Sequence, residues 1–570
     1  MLDYKRIGNP DVRKPLDHVV AEEKAAEQGP VALVAHAHDP TLPVSAMDAR
    51  AGPEAEKWEQ AMLKEIGNLE TMGTWELVEL PQGRKAIGNR IVFARKKDAK
   101  NVVYEFKARL VAQGFGQVSG IDFSLDGTFA PVMRFETLHT MLAYTTVFGW
   151  KMRQFDVKEA YLHARLDKVI YMKQPQGFKD GTGQVCRLKR SLYGLKQAGN
   201  LWNKELDGAL KDMGFRQLCS DYCGYVWEDG KGDFEILLIW VDDMMCFATS
   251  DTRLDIMQQD LESKFTIKSI GEPSMILGLN IHYHSSNHSI SISQTAYIDT
   301  ILDCFGLAQA NHVSTPLDPS VDLDQVERIW RSGKEAPPQV DPKVRNGYAA
   351  LTGSLMYLAV CTCPDIAFAV TKLCQFTANP RPEHWTAAKR VFRYLKGTRD
   401  HALTYGGKDA RLKSGEVNFF CDADYGGRWD RKSTSGYVVM IAGGAVAWSS
   451  KKQNTVALST AEAEYIAATH VVKQVLWHRS LLQELKIHVP KTSTIFSDNQ
   501  AAIAIARNPE YHARTKHIDI AYHFLRDHVQ NGVLNLVYIA TKKNLADVFT
   551  KGLARAGHEE QREGLGVLVE

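Results

Sequence analysis

Nowhere in the 570 residues is there an apolar run of the roughly 18 residues that a membrane helix needs. The opening MLDYKRIGNPDVRKPLDHVV is too polar for a secretory leader, so the expectation is an intracellular protein with no membrane partner. Cysteine is sparse and scattered: nine residues form no CxxC pair and no Cys/His cluster at zinc spacing, which argues against a disulfide framework or a zinc ribbon and for reduced thiols. An excess of charge of one sign is also missing, since 69 Lys and Arg stand against 67 Asp and Glu, for a net charge of +2. The balance is local, however. From Arg84 to Arg109 there are nine Lys or Arg against only Asp98 and Glu105, a density suited to a phosphate backbone as well as to a solvated loop. With 44% hydrophobic and 24% charged residues, the chain has the composition of a globular protein and the length of about three domains.

The stretch ILLIWVDDMMCF, residues 236–247, organises the rest. Two short apolar runs flank Asp242 and Asp243, which predicts a β-hairpin with the carboxylates at its turn. Two like charges about 4 Å apart repel by roughly 1 kcal/mol in water and roughly 4 kcal/mol at a protein-like dielectric, and apolar flanks add desolvation. A pair of divalent cations would offset that cost, and such pairs clamp the attacking and leaving oxygens of phosphoryl transfer.

Along the chain, residues 1–56 show no sustained periodicity and are expected to form a poorly ordered tail. Trp58, Met62, Ile66 and Leu69 mark an amphipathic helix, followed by a strand with Trp75 and Leu77. IVFARKK and VYEFKARLVAQGF read as a hairpin turning at Asp98–Asn101, with Lys107 and Arg109 on one face of its second strand. QFDVKEAYLHARL reads as a strand ending at Asp156 with Tyr161 at the start of a helix. SLYGLKQAGNLWNKEL reads as a helix entered through Gly194, with Lys189, Arg190, Lys196 and Gln197 near its beginning. After the hairpin, 251–271 reads as helix then strand, and Ala296–Leu307 as a helix. A polar, Pro-bearing stretch from Pro316 to about Lys343 then suggests a boundary. Helical spacing resumes through GYAALTGSLMYLAV and HWTAAKRVFRYLKG, where His384 and Trp385 are expected to pack.

The ordered series FKARLVAQGF, TFAPVMRFETL, QFDVKEAYLHARL, IYMKQPQGF, SLYGLKQA, IWVDDMM and MILGLNI resembles the reverse transcriptase of copia-class (Ty1/copia-type) long-terminal-repeat retrotransposon polyproteins. The resemblance implies an α/β chain: a right-hand polymerase with fingers, palm and thumb, then a connection region and a ribonuclease H-like α/β domain. Residues 57–250 would be fingers and palm, 251–315 thumb, 316–410 linker and connection, 411–555 the ribonuclease H-like domain, and 556–570 a C-terminal tail. Position by position, Asp156, Asp242 and Asp243 resemble the catalytic metal-binding acids, with the Val157 carbonyl as a further ligand. Lys107 and Arg109 resemble the finger residues that grip the incoming triphosphate, Tyr161 the aromatic gate under the sugar, and Gln197 a residue near the templating base pair. Met275, Leu277 and Gly278 resemble the grip on the primer end.

A second set of acids lies further along. VNFFCDADYGG reads as a strand ending in Asp422, with Asp424 in the loop beyond it. STAEAEYIAATHVVKQVLWHRSLLQEL reads as a long helix, STIFSDNQAAIAIA as strand, acid and helix, and TKKNLADVFTKGL as the opening of a last helix. Asp422, Glu464, Asp498 and Asp547 resemble, in order and spacing, the four acids of the ribonuclease H fold. Ser459-Thr460-Ala461-Glu462 fits a capping box, so Glu462 is expected to fold back on the helix start and leave Glu464 for metal. His517 is expected either to assist product release or to cap a helix.

The function so implied is RNA-directed DNA polymerase coupled to cleavage of RNA in RNA/DNA hybrids. It would use two Mg²⁺ per active site, with Mn²⁺ as a substitute. The partners would be RNA template, DNA primer, RNA/DNA hybrid and dNTPs, with self-association or polyprotein-derived partners, in the cytoplasm inside virus-like particles or in the nucleus. Trp240, Ile91, Gly199-Asn200 and Cys363 depart from the family pattern. They leave open a second reading, an inactive remnant that only grips nucleic acid. No protease, integrase or zinc-knuckle segment is recognisable, so the resemblance is to the downstream part of a polyprotein.

Overall fold

The structure, a computed structural model, describes residues 41–97, 103–325, 340–407, 416–426, 430–507 and 516–570. The first 40 residues of the expected tail, the Asp98–Asn101 turn, 326–339 of the linker, 411–415 and the His517 side chain lie outside the described residues. No helix among the described residues is long and apolar enough to cross a membrane.

The first unit contains the Ala46–Ala51 and Ala55–Thr71 helices, β1 (Trp75–Val78), β2 (Asn89–Lys97) and β3 (Val103–Ala112). Trp58, Met62, Ile66 and Leu69 are buried together against Phe93, Ala108 and Leu110 of the antiparallel β2–β3 pair. Ala46 and Ala49 join this core, so the segment from Ala46 onward is packed structure and not part of a tail. Local polarity hides an alanine face that only packing reveals.

The Phe135–Phe148 helix leads into β4 (Lys151–Val157), the short Ala160–His163 helix, β5 (Arg165–Met172) and β6 (Val185–Arg190). Then come the Ala198–Asp212 helix, β7 (Arg216–Gln217), β8 (Gly224–Glu228), β9 (Phe234–Trp240) and β10 (Asp243–Ala248). The Asp251–Glu262 helix runs into β11 (Ile267–Gly271). The sheet order β11-β4-β10-β9-β8-β7 puts the Asp-Asp hairpin at its centre, while β1, β6 and β5 form a separate sheet. Parity explains the long apolar runs. Ile236, Leu238, Met245 and Phe247 pack with the Phe135–Phe148 helix on one face, and Leu237, Ile239, Met244 and Cys246 with the Ala198–Asp212 and Asp251–Glu262 helices on the other. Lys189 and Arg190 end β6 rather than opening the helix, which starts at Ala198 with Gln197 as its cap. Gly194, at φ +88°, lets that loop close on β3, where a Cβ would sit 2.1 Å from the Ala112 carbonyl oxygen.

The break expected after residue 250 falls inside this sheet, because β11 pairs with β4. Beyond β11 the chain builds another sheet from β12 (Met275–Ile276), β13 (Leu279–His284), β14 (Ser289–Ser293) and β15 (His401–Gly406). Between β14 and β15 lie the Thr295–Cys304, Pro342–Cys361, Ala367–Cys374 and Pro382–Gly397 helices, which share one core. His384 is fully buried there, stacked on Phe376 at 3.8 Å.

The last unit has β16 (Asn418–Asp424), β17 (Thr434–Ile441), β18 (Gly444–Lys452), the Thr460–Glu484 helix, β19 (Ser493–Ser497), the Gln500–Arg507 and Lys516–Gln530 helices, and β20 (Leu534–Tyr538). Its order is β18-β17-β16-β19-β20, antiparallel through β16 and parallel from β16 to β20, a ribonuclease H-like α/β arrangement. The Arg555–Gly564 helix and β21 (Val567–Val569) close the chain, and β21 pairs with β15. Residues 556–570 are therefore not a tail but the edge of the β12–β15 sheet. Strand pairing between distant segments leaves no local signature, which is why neither boundary falls where the sequence pattern puts it.

Candidate functional site: two carboxylate centres

The β9–β10 hairpin turns through Val241 and Asp242, so that Asp243 pairs with Trp240 on one side and with Asp156 of β4 on the other. Val241 adopts φ 58°, costly for a β-branched residue, and the surroundings hold it there. Trp202 Nε1–H donates to the Val241 carbonyl at 2.7 Å, and the Val157 amide donates to the Asp242 carbonyl at 2.9 Å. Glu159, two residues past Val157, also has positive φ (53°), as does Leu277 (53°). Trp240, the departure next to the acids, rests on Phe135 at 6.1 Å between ring centroids.

Burial is the main force raising the Asp242 carboxyl above its usual range, with Asp156 adding to it and Arg109 and Lys107 opposing. Asp243 is pushed up to about 7 by burial, then by Asp242 and Asp156. The cations of β3 are thus felt at the hairpin turn. Lys107 and Arg109 are both half-buried, and the Lys107 ammonium is pushed down by burial and by Arg109. The Arg109 guanidinium lies over the Tyr193 ring at 4.5 Å, and Tyr161 meets the same ring edge-on at 4.7 Å. Tyr193 thereby joins the two positions, a link that no local pattern suggests.

Two positions stand apart. Gln197 is buried and engaged at both ends of its amide, accepting from Gln117 at 2.9 Å and donating to the Asp122 carbonyl at 2.8 Å. It braces the loop that carries Gln117 and Asp122. Met275, Leu277 and Gly278 form a tight hairpin, with Leu277 and Gly278 both at positive φ and the Tyr357 hydroxyl donating to the Leu277 carbonyl. Met275 is exposed and Leu277 buried.

The second centre is more compact. Ligand oxygens of Asp422, Glu464 and Asp498 lie within 4.8 Å of one another, whereas Asp156, Asp242 and Asp243 form no such mutual group. Asp422 sits inside β16, which continues through Asp424, so Asp424 is a half-buried strand residue and not part of the following loop. Asp547 lies in a 3-10 turn, Asp547–Phe549, rather than opening an α-helix. Gly436 of β17 lets that turn approach, since a Cβ there would sit 2.8 Å from Phe549 Cβ. Asp547 is held by Lys551 Nζ at 3.0 Å, while the Thr550 hydroxyl donates to Asp422. Sequence reasoning misses Thr550 and Lys551, because a Thr-Lys pair after an acid carries no pattern of its own.

Burial, then Asp547, lifts Asp422 to about 7; burial, then Asp422 and Asp498, lifts Glu464 to about 9. One Glu464 oxygen, Oε2, is buried without a hydrogen-bond partner. An orphaned oxygen among buried, mutually repelling carboxylates fits a hard divalent cation. Glu462 accepts from the Leu458 amide at 2.8 Å, while its own amide donates to Ser459 Oγ at 3.2 Å. It is thus occupied with the helix start, one residue earlier than a standard capping box.

A mixed sheet with paired acids at a central hairpin, joined to a ribonuclease H-like sheet with its own acids, defines a class: a polymerase-type fold followed by a nuclease-type fold. Residues 72–319 match the family described as reverse transcriptase (RNA-dependent DNA polymerase). The retrovirus-related Pol polyprotein from transposon TNT 1-94 of Nicotiana tabacum is 39% identical over 535 residues, 93% of this chain and 39% of that one. The corresponding polyprotein from transposon RE1 of Arabidopsis thaliana is 36% identical over 519 residues, 90% of this chain and 34% of its own. The transposon Ty5-1 protein of Saccharomyces cerevisiae is 34% identical over 332 residues, matched along 100% of its length. Among solved structures, the foamy viral protease-reverse transcriptase in complex with RNA/DNA hybrid is 12% identical, with a TM-score of 0.40 over 86% of this chain and 54% of that one. The chain belongs to the copia-class retrotransposon Pol polyproteins. It spans about two fifths or less of the length of the first of these relatives.

Proposed function

We propose that this chain is an RNA-directed DNA polymerase whose C-terminal unit cleaves the RNA strand of RNA/DNA hybrids. The observation that carries the reading is the β10–β4 register: Asp243 directly opposite Asp156, with Asp242 in the adjoining turn.

Asp156, Asp242, Asp243 and the Val157 carbonyl are hard oxygen donors and would hold a pair of divalent ions, Mg²⁺ or Mn²⁺. When bound, such a pair neutralises charge on the attacking and leaving oxygens of phosphoryl transfer. The protein's own part is positioning. Lys107 and Arg109, two apart on β3, hold the triphosphate of a dNTP, with Arg109 steadied by the Tyr193 ring. Tyr161, fixed edge-on against Tyr193, lies under the sugar and excludes a 2′-hydroxyl by contact. The Met275–Gly278 hairpin bears on the primer end. A primer 3′-hydroxyl then attacks the α-phosphorus and pyrophosphate leaves. In the second unit Asp422, Glu464, Asp498 and Asp547 would hold a like pair. Such a pair would supply activation of a water for cleavage of the RNA strand, and the hybrid is recognised by shape and 2′-hydroxyl contacts.

The test is Asp242→Asn in primer extension on an RNA template. Extension should fall at least about a hundredfold, while hybrid binding keeps its affinity and salt slope. Equal extension by variant and parent would overturn the reading.

A further inference from the structure

Away from both carboxylate centres, β13 and residue 570 bring His282, His284 and Glu570 together, with one ligand atom of each within 4.8 Å of the other two. The histidines are two apart on β13, so their imidazoles stand on one face, with ring centroids 4.1 Å apart. β21 pairs with β15, and the Glu570 amide donates to the Asp400 carbonyl at 2.9 Å; the Glu570 side chain reaches His282, Oε1 to Nδ1, at 3.4 Å. Ser291, opposite His282 on β14, donates to Glu570 Oε1 at 2.8 Å and lies 3.0 Å from His284 Nε2.

Tetrahedral zinc with bonds of about 2.0–2.1 Å places its ligand atoms about 3.3–3.5 Å apart. The His282–Glu570 separation already has that value. Two imidazoles and one carboxylate are a donor set that selects a transition metal over Mg²⁺ and leaves a fourth position open. Ser291 orients the carboxylate as an outer partner.

We propose that His282, His284 and Glu570 bind one Zn²⁺-class divalent ion, separate from both carboxylate centres, which ties the end of the β21 segment to β13. The competing outcome is an ordinary imidazole–carboxylate hydrogen bond.

The experiment uses the full chain carrying Asp242→Asn and Asp498→Asn, so that both carboxylate centres are weakened. Zn²⁺ is measured by equilibrium dialysis and Co²⁺ by absorption. The expected result is one more Zn²⁺ per chain than in the same background with His282→Gln and His284→Gln, together with ligand-field bands of four-coordinate Co²⁺ that the histidine variant lacks. Ser291→Ala should weaken binding about tenfold. Circular dichroism checks that each variant folds, and Glu570→Gln alone should also lose the Co²⁺ bands. Equal Zn²⁺ stoichiometry and affinity with and without the histidines would overturn the proposal, as would Co²⁺ bands that persist in Glu570→Gln.

Discussion

In the six-stranded sheet the acids come from two neighbouring antiparallel strands and the turn between β9 and β10. In the ribonuclease H-like sheet they come from a strand, a long helix, the segment after a second strand and a 3-10 turn. The first set is placed by hydrogen-bond register, the second by packing of the Thr460–Glu484 helix across β16. Register spaces neighbouring strands by about 5 Å and sets Asp243 opposite Asp156, with Asp242 in the adjoining turn and the Asp156 charge felt by both. Packing from several directions brings Asp422, Glu464 and Asp498 within 4.8 Å of one another. In both centres burial is the first cause of the raised carboxyls and the neighbouring acids the second, with Glu464 lifted to about 9 and Asp243 to about 7. The two units are also docked, since the Phe135–Phe148 helix shares one core with β17 and β18, and Trp477 donates to the Ser220 carbonyl at 2.9 Å.

If the centres are chemically independent despite this docking, Glu464→Gln should lower hybrid-directed RNA cleavage at least about a hundredfold while leaving primer extension unchanged. Paired assays on one preparation check this, and a parallel loss of both activities would show that the shared core couples them. A smaller effect separates ligand from support. Thr550→Val removes the hydroxyl that donates to Asp422 and should reduce cleavage about tenfold, read as a drop in kcat. The smallest effect concerns the support of the first centre. Glu65, buried beside Lys107 and Arg109, accepts from the Leu110 amide on the open edge of β3 at 2.9 Å, and burial pushes its carboxyl up to about 7. The unfolded chain ionises this group near 4.5 and the folded chain resists doing so. Stability is therefore full below about 4.5 and is lost as pH rises to about 7. Glu65→Gln should abolish that part of the loss, about 2–3 kcal/mol, so urea midpoints measured at pH 5 and pH 8 should lie closer together than in the parent.

Much of the first centre is legible in the sequence because its elements are local. The alternation around Asp242-Asp243 predicts a hairpin, and Lys107 and Arg109 share a face by strand parity alone. Glu462 and Glu464 can be told apart because capping chemistry is written within four residues. What is not legible is non-local. Gln197 caps a helix, and its partners Gln117 and Asp122 come from a distant segment. Residues 556–570 look like a tail, yet β21 closes a sheet with β15.

The amino-acid sequence by itself determined the kinds of elements, the acids available and the family, since periodicity, capping and motif order are properties of neighbours along the chain. Tertiary structure decided which acids meet, how deeply they are buried and where one unit ends. Those depend on pairing and packing between segments far apart in the chain, whose free energy no short window of residues encodes.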